Sequence, residues 1–168
     1  MIYALVRGWL AGMAAVLVEI LLAAIFLVQG ISPRTLTENF SPTLSSIILV
    51  AFLEESMKLA ALRGISDETT PFFRNAIFKG LLVGLGFAFF EASLKILFQG
   101  EDLSYSVSLG AISGGALHIV TGGILGFAWF FRARGRTPML FLFLFFVAIV
   151  LHIFYNTFLS PVLFERFS

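Results

Sequence analysis

The sequence predicts an all-α polytopic membrane protein, a transmembrane helical bundle of about five helices with a polar site in the bilayer interior. Three observations predict it. Of 168 residues, 59% are hydrophobic and 12% charged, against about 45–50% and ~25% in a soluble domain. Mean hydropathy is +0.99. The apolar residues fall in five continuous runs near the ~20 residues that a spanning helix needs. They do not form the alternating segments of about 10 residues that build a membrane barrel. These figures exclude a soluble globular enzyme and a disordered chain.

The first run covers 8–28 and carries Glu19. Arg7 ahead of it imitates a signal peptide, but the run is long and no A-x-A site follows it, so a retained helix is expected. Ser32-Pro33-Arg34 and Ser41-Pro42 break the chain before the second run, 44–62. That run holds Glu54, Glu55 and Lys58 near its middle. Ser66-Asp67-Glu68 and Pro71 precede the third, 76–97, with Lys79, Glu91 and Lys95. Gln99-Gly100-Glu101-Asp102 precedes the fourth, 107–131, with His118. Arg132-Ala133-Arg134-Gly135-Arg136 and Pro138 precede the fifth, 139–159, with His152 and Asn156. Clusters of Gly, Pro and short polar residues are the expected breakers. The Phe-rich stretch at 140–146 reads as lipid-facing. No repeat is visible, and 1–168 reads as a single integral membrane domain.

Loop basicity sets the orientation. Five helices put Arg7, Arg63, Arg74, Arg132, Arg134 and Arg136 on one side, with Lys79 just inside a helix. Arg34, Arg166 and Lys95 lie at the other, among Glu38, Glu101, Asp102 and Glu165. The N-terminus is therefore expected in the cytoplasm and the C-terminus outside. The net charge of +1 and scattered basic residues give nucleic-acid binding no support. With no cysteine there is no disulfide, thiol nucleophile or thiolate metal site.

Ionisable residues at bilayer depth cost at least ~2.5 kcal/mol each and mark function by default. Glu54, Glu55, Glu91, His118 and His152 can share one layer near mid-membrane. Residues three or four apart share a helical face, so Lys58 can neutralise either Glu54 or Glu55. Phe87 shares a face with Glu91, and His152 with Asn156. Gly80 and Gly84, with Gly114, Gly122 and Gly126 around His118, form small-residue stripes that let helices approach closely. They would draw Glu91 and His118 into the protein interior. Lys79 and Lys95 are expected to snorkel toward the interfaces, and Glu19 to pair with another helix.

This set allows three chemistries. A carboxylate can activate water while an imidazole or the Asn156 amide donates to an oxyanion. Imidazoles and carboxylates also ligate zinc, although no H-E-x-x-H is present. A proton or metal-ion carrier or channel would use the same residue types. A non-catalytic membrane scaffold would use them for helix association.

The ordered motifs narrow the choice. Glu54-Glu55-Ser56-Met57-Lys58 reads E-E-x-x-K, Phe87-Ala88-Phe89-Phe90-Glu91 reads F-x-x-x-E, and His118 follows on its own helix. His152-Ile153-Phe154-Tyr155-Asn156 then reads H-x-x-x-N. The set resembles the PrsW family of intramembrane proteases, within a wider group that holds type II CAAX prenyl proteases and bacteriocin-processing membrane proteases. Lys58 and Glu91 favour the PrsW branch. The resemblance implies a membrane-embedded hydrolase acting on a membrane protein or peptide, with Glu54 or Glu55 activating water and Glu91, His118, His152 and Asn156 completing the site. Lys58 and Phe87 would support it. The family is described as glutamate-type or metal-dependent. A divalent metal such as zinc would take ligands from Glu55, Glu91, His118 and His152. The resemblance further implies a bacterial or archaeal cytoplasmic membrane and an anti-sigma-factor-like substrate. The glycine stripes would also suit a homo-oligomer contact.

Overall fold

In lipid a backbone can bond only with itself, so each long apolar run is driven into a helix. The computed structural model describes residues 1–28, 44–65, 72–99, 105–135 and 137–159. They form α1 (Ile2–Val28), α2 (Leu44–Arg63), α3 (Phe73–Gln99), α4 (Tyr105–Ala133) and α5 (Pro138–Phe154), the last continued by a π-helical turn, Tyr155–Leu159. There is no strand among the described residues. Helices start and stop beyond the apolar runs: α1 takes in Arg7 and α3 takes in Arg74, because backbone bonding continues past the point where hydropathy ends. The expected breakers at 32–34, 41–42, 66–68, 71 and 100–102 lie outside the described residues, as do Glu38, Arg136, Glu165 and Arg166.

Among the described residues, four helices are long and apolar enough to cross a membrane: α1, α3, α4 and α5 with its π turn. The exception, α2, carries Glu54, Glu55 and Lys58 at its centre. Its buried residues are Ala51, Glu55, Lys58, Ala61 and Leu62. Their spacing marks one helical stripe, so α2 turns its charges inward. It touches α1, α3, α4 and α5. The outer faces stay apolar: Leu142, Phe143 and Phe146 of α5 are each more than half exposed, as a lipid-facing surface requires.

Glycines bring α3 and α4 together. A Cβ on Gly84 would run into the His118 carbonyl, 2.7 Å from its carbon, and one on Gly80 would lie 2.9 Å from the Gly126 Cα. Backbone therefore meets backbone, and no side-chain rotation could relieve the clash. This contact fixes the height of His118 against α3. Gly135, at φ 63°, ends α4 in the left-handed conformation that glycine adopts without cost. The polar ends also agree in register. Arg7 packs across Gly64, and Lys79 donates to the Ile65 carbonyl oxygen at 3.3 Å. Lys79 thus satisfies a helix-end carbonyl at the expected end of the bundle.

Candidate active site

Four helices each deliver part of one polar cluster. Glu54, Glu55 and Lys58 come from α2, Glu91 from α3, His118 from α4 and His152 from α5. Glu55, Lys58, His118 and His152 are all buried.

The two imidazoles are oriented from behind. His152 Nδ1 lies 2.7 Å from Glu55 Oε1, and His118 Nε2 lies 2.5 Å from Glu91 Oε2. A carboxylate only accepts. The ring protons therefore sit on His152 Nδ1 and His118 Nε2. The opposite nitrogens turn their lone pairs toward one point, and Glu54 Oε2 occupies it, 3.6 Å from His152 Nε2 and 3.8 Å from His118 Nδ1. The rings stand edge to face, 5.4 Å apart. Phe87 packs against His118 at 4.9 Å between centroids.

The carboxylates behind the rings have cations of their own. Lys58 Nζ donates to Glu55 Oε1 at 2.7 Å and to Thr121 Oγ1 at 3.1 Å, and sits 4.8 Å from the Phe87 ring centre. Lys95 Nζ reaches Glu91 Oε1 at 2.7 Å, so it folds back along α3 rather than snorkelling alone. Sequence reasoning left Lys58 a choice of two partners; the structure gives it Glu55. Thr121 was missed. Its signal was a hydroxyl three residues after His118, on the same face of an apolar helix.

Glu54, Glu55 and His118 hold the unusual atoms of the cluster. Glu54 Oε2, Glu55 Oε2 and His118 Nδ1 are buried with no hydrogen-bond partner. Buried polar atoms are almost always satisfied, and an exception at a convergent site points to a ligand, water or ion. Ligand atoms of Glu54, His118 and His152 all lie within 4.8 Å of one another. Tetrahedral ligands at about 2.1 Å from zinc stand roughly 3.4 Å apart, so the two Glu54–imidazole spacings are already close to that. One carboxylate and two neutral imidazoles with an open fourth position form a known catalytic zinc set. A carboxylate behind each ring is the usual support for metal-bound histidine. The residues fit a divalent ion. Glu55 and Glu91, expected among the ligands, instead face the outward ring nitrogens; the inward position belongs to Glu54.

Two other expectations meet a different geometry. Asn156 was expected on the same face as His152. Asn156 lies in the π turn Tyr155–Leu159 that continues α5. Asn156 makes no hydrogen bond to the clustered residues. Glu19 finds no ion pair among the described residues. Its Oε1 is buried without a hydrogen-bond partner.

Fold and cluster together define a polytopic helical membrane protein with a buried carboxylate–imidazole centre. The model of one family, PrsW family intramembrane metalloprotease, matches residues 1–165. The chain belongs to that family, which makes it a membrane-embedded protease and hence a hydrolase. No curated protein and no solved structure matches it.

Proposed function

We propose that this protein hydrolyses a peptide bond within a membrane-associated protein, with Glu54 as the carboxylate that meets the reacting water. One observation carries the reading: Glu54 Oε2 is buried without a partner between His118 Nδ1 and His152 Nε2. Glu54 is also the accessible member of the adjacent pair. Its side chain is 15% exposed, while that of Glu55 is wholly buried and held by Lys58 and His152.

Glu54, His118 and His152 would hold a divalent ion such as zinc. When bound, such an ion supplies Lewis acidity that acidifies water and polarises a carbonyl. Charge supports a dication. Lys58 pairs with Glu55 and Lys95 with Glu91, so among the described residues neither Glu54 nor Glu19 has a lysine or arginine ion pair of its own in a low-dielectric interior. The remaining roles fall to the chain itself. Glu55 and Glu91 fix the ring orientations and tautomers. Lys58, bound to Thr121 and lying over Phe87, holds Glu55 in place. With one oxygen turned to the ring nitrogens, Glu54 has the other to accept the proton of the water.

An anti-sigma-factor-like membrane protein is the first substrate to try. The N-terminal end, with Arg7, Arg63, Arg74, Arg132 and Arg134, faces the cytoplasm in this reading. The test is cleavage of co-reconstituted membrane proteins by purified protein in proteoliposomes. New peptide termini are expected with the wild type and none with Glu54→Gln. Equal yields from both would overturn the assignment of Glu54.

A further inference from the structure

Lys58 lies three residues after Glu55 and four after Glu54, and a helix permits either pairing. The choice matters, because an ammonium on Glu54 would neutralise the carboxylate that faces the two imidazoles. Among the described residues Lys58 forms one ion pair, with Glu55 at 2.7 Å. Spacing along α2 does not make that choice, so a neighbour on another helix must. The ammonium has three donors. One goes to Glu55 Oε1, a second goes to Thr121 Oγ1 at 3.1 Å, and the centre of the Phe87 ring lies 4.8 Å away. Thr121 is itself wholly buried. Lys58 can only donate, so the threonine oxygen accepts from it. The hydroxyl proton goes back to the His118 carbonyl oxygen, at 3.3 Å, which leaves the lone pairs of Oγ1 for the ammonium.

Thr121 follows His118 on α4 and Lys58 follows Glu54 on α2, each toward the helix end that carries Arg132 or Arg63. The threonine thus stands about one helical turn, roughly 5.4 Å, from the level of the Glu54–imidazole centre, and it holds the ammonium there. We infer that Thr121 is a positioning residue: its hydroxyl keeps Lys58 on Glu55 and off Glu54, so that Glu54 keeps its charge for a divalent ion between His118 and His152. The inference rests on the ion-binding reading of Glu54 above. Without the hydroxyl, one ammonium donor loses its partner in a buried setting, and such a donor is costly. The acceptor within reach along α2 is Glu54, whose Oε2 has no hydrogen-bond partner. Lys58 then bridges the two glutamates and competes with the ion for Glu54.

The test measures the affinity of the full chain for zinc by chelator competition in micelles. Thr121→Val keeps the size and branching of the side chain and removes the hydroxyl. It should weaken zinc binding about 10–100-fold, the range seen when an outer partner of a metal ligand is lost, and Thr121→Ala should do the same. Thr121→Ser keeps the hydroxyl and should bind as the wild type does. In the Lys58→Met, Glu55→Gln background no ammonium is left to move, so adding Thr121→Val there should leave the affinity unchanged. A purely structural threonine would lower stability without this dependence on Lys58. Unchanged affinity in both the valine and alanine variants, a serine variant as weak as they are, or an equal loss in the background lacking Lys58 would overturn the inference. Zinc binding lost in Glu54→Gln but untouched in the threonine variants leaves the ion-binding reading standing. No zinc binding by the wild type, or binding indifferent to Glu54→Gln, sinks that reading and this inference with it.

Discussion

Replacing Lys58 with methionine tests how the site is held. Lys58 is wholly buried and keeps three contacts: Glu55 at 2.7 Å, Thr121 at 3.1 Å and the Phe87 ring at 4.8 Å. Methionine retains most of the bulk but strands the Glu55 carboxylate in a dry interior with His152 as its remaining partner. A charge-assisted bond is worth about 1.5–3 kcal/mol, and a desolvated cation–π contact about 2 kcal/mol. Removing one member of a buried pair costs roughly 3–5 kcal/mol in all. The assay is reversible unfolding in mixed micelles with a rising fraction of denaturing detergent. Lys58→Met should lose about 3–5 kcal/mol. The double variant Lys58→Met, Glu55→Gln should recover most of that, because no charge is then left unpaired. A single-variant loss below about 1 kcal/mol, the range of an exposed pair, would refute the idea that Lys58 and Glu55 are a desolvated pair. So would a double variant no more stable than the single.

Other predictions concern metal, packing and the π turn. Purified protein should copurify with a divalent ion by elemental mass spectrometry, and Glu54→Gln, His118→Ala and His152→Ala should each lose it. Glu55→Gln should keep the ion but bind it about 10–100-fold more weakly in a chelator competition, as expected of a ring-orienting partner; unchanged affinity would contradict that role. Gly84→Ala should destabilise the protein by about 1–3 kcal/mol in the same micelle assay, the usual cost of overpacking, while Gly114→Ala should not. Asn156→Ala should retain most activity, and a loss of about 10²–10³-fold, typical of a missing oxyanion donor, would restore the amide to the reaction.

Much of this molecule is legible in its sequence because a charge stands out on an apolar background. Glu54, Glu55, Glu91, His118 and His152 could be found as the costly residues of four apolar runs, and they meet in one cluster. The glycines at 80, 84, 122 and 126 could be read as a close helix contact, because four-residue spacing defines a face. The choice between Glu54 and Glu55 could not be read. Adjacent residues point about 100° apart on a helix, and which one meets the imidazoles depends on how α2 is rotated within the bundle. The same rotation decides that Glu55 and Glu91 stand behind the rings. The π turn that holds Asn156 could not be read either, since nothing local in Tyr155-Asn156-Thr157 announces it. Thr121 was overlooked because one hydroxyl in an apolar helix is usually satisfied by its own backbone. It does bond the His118 carbonyl oxygen, at 3.3 Å, while also accepting from Lys58.

The most direct measurement compares cells producing the wild type with cells producing Glu54→Gln at matched levels, using terminus-selective mass spectrometry of membrane and released peptides. The account predicts new termini, mapping within or beside a membrane segment, in the wild-type sample alone. The same termini in both samples would contradict it.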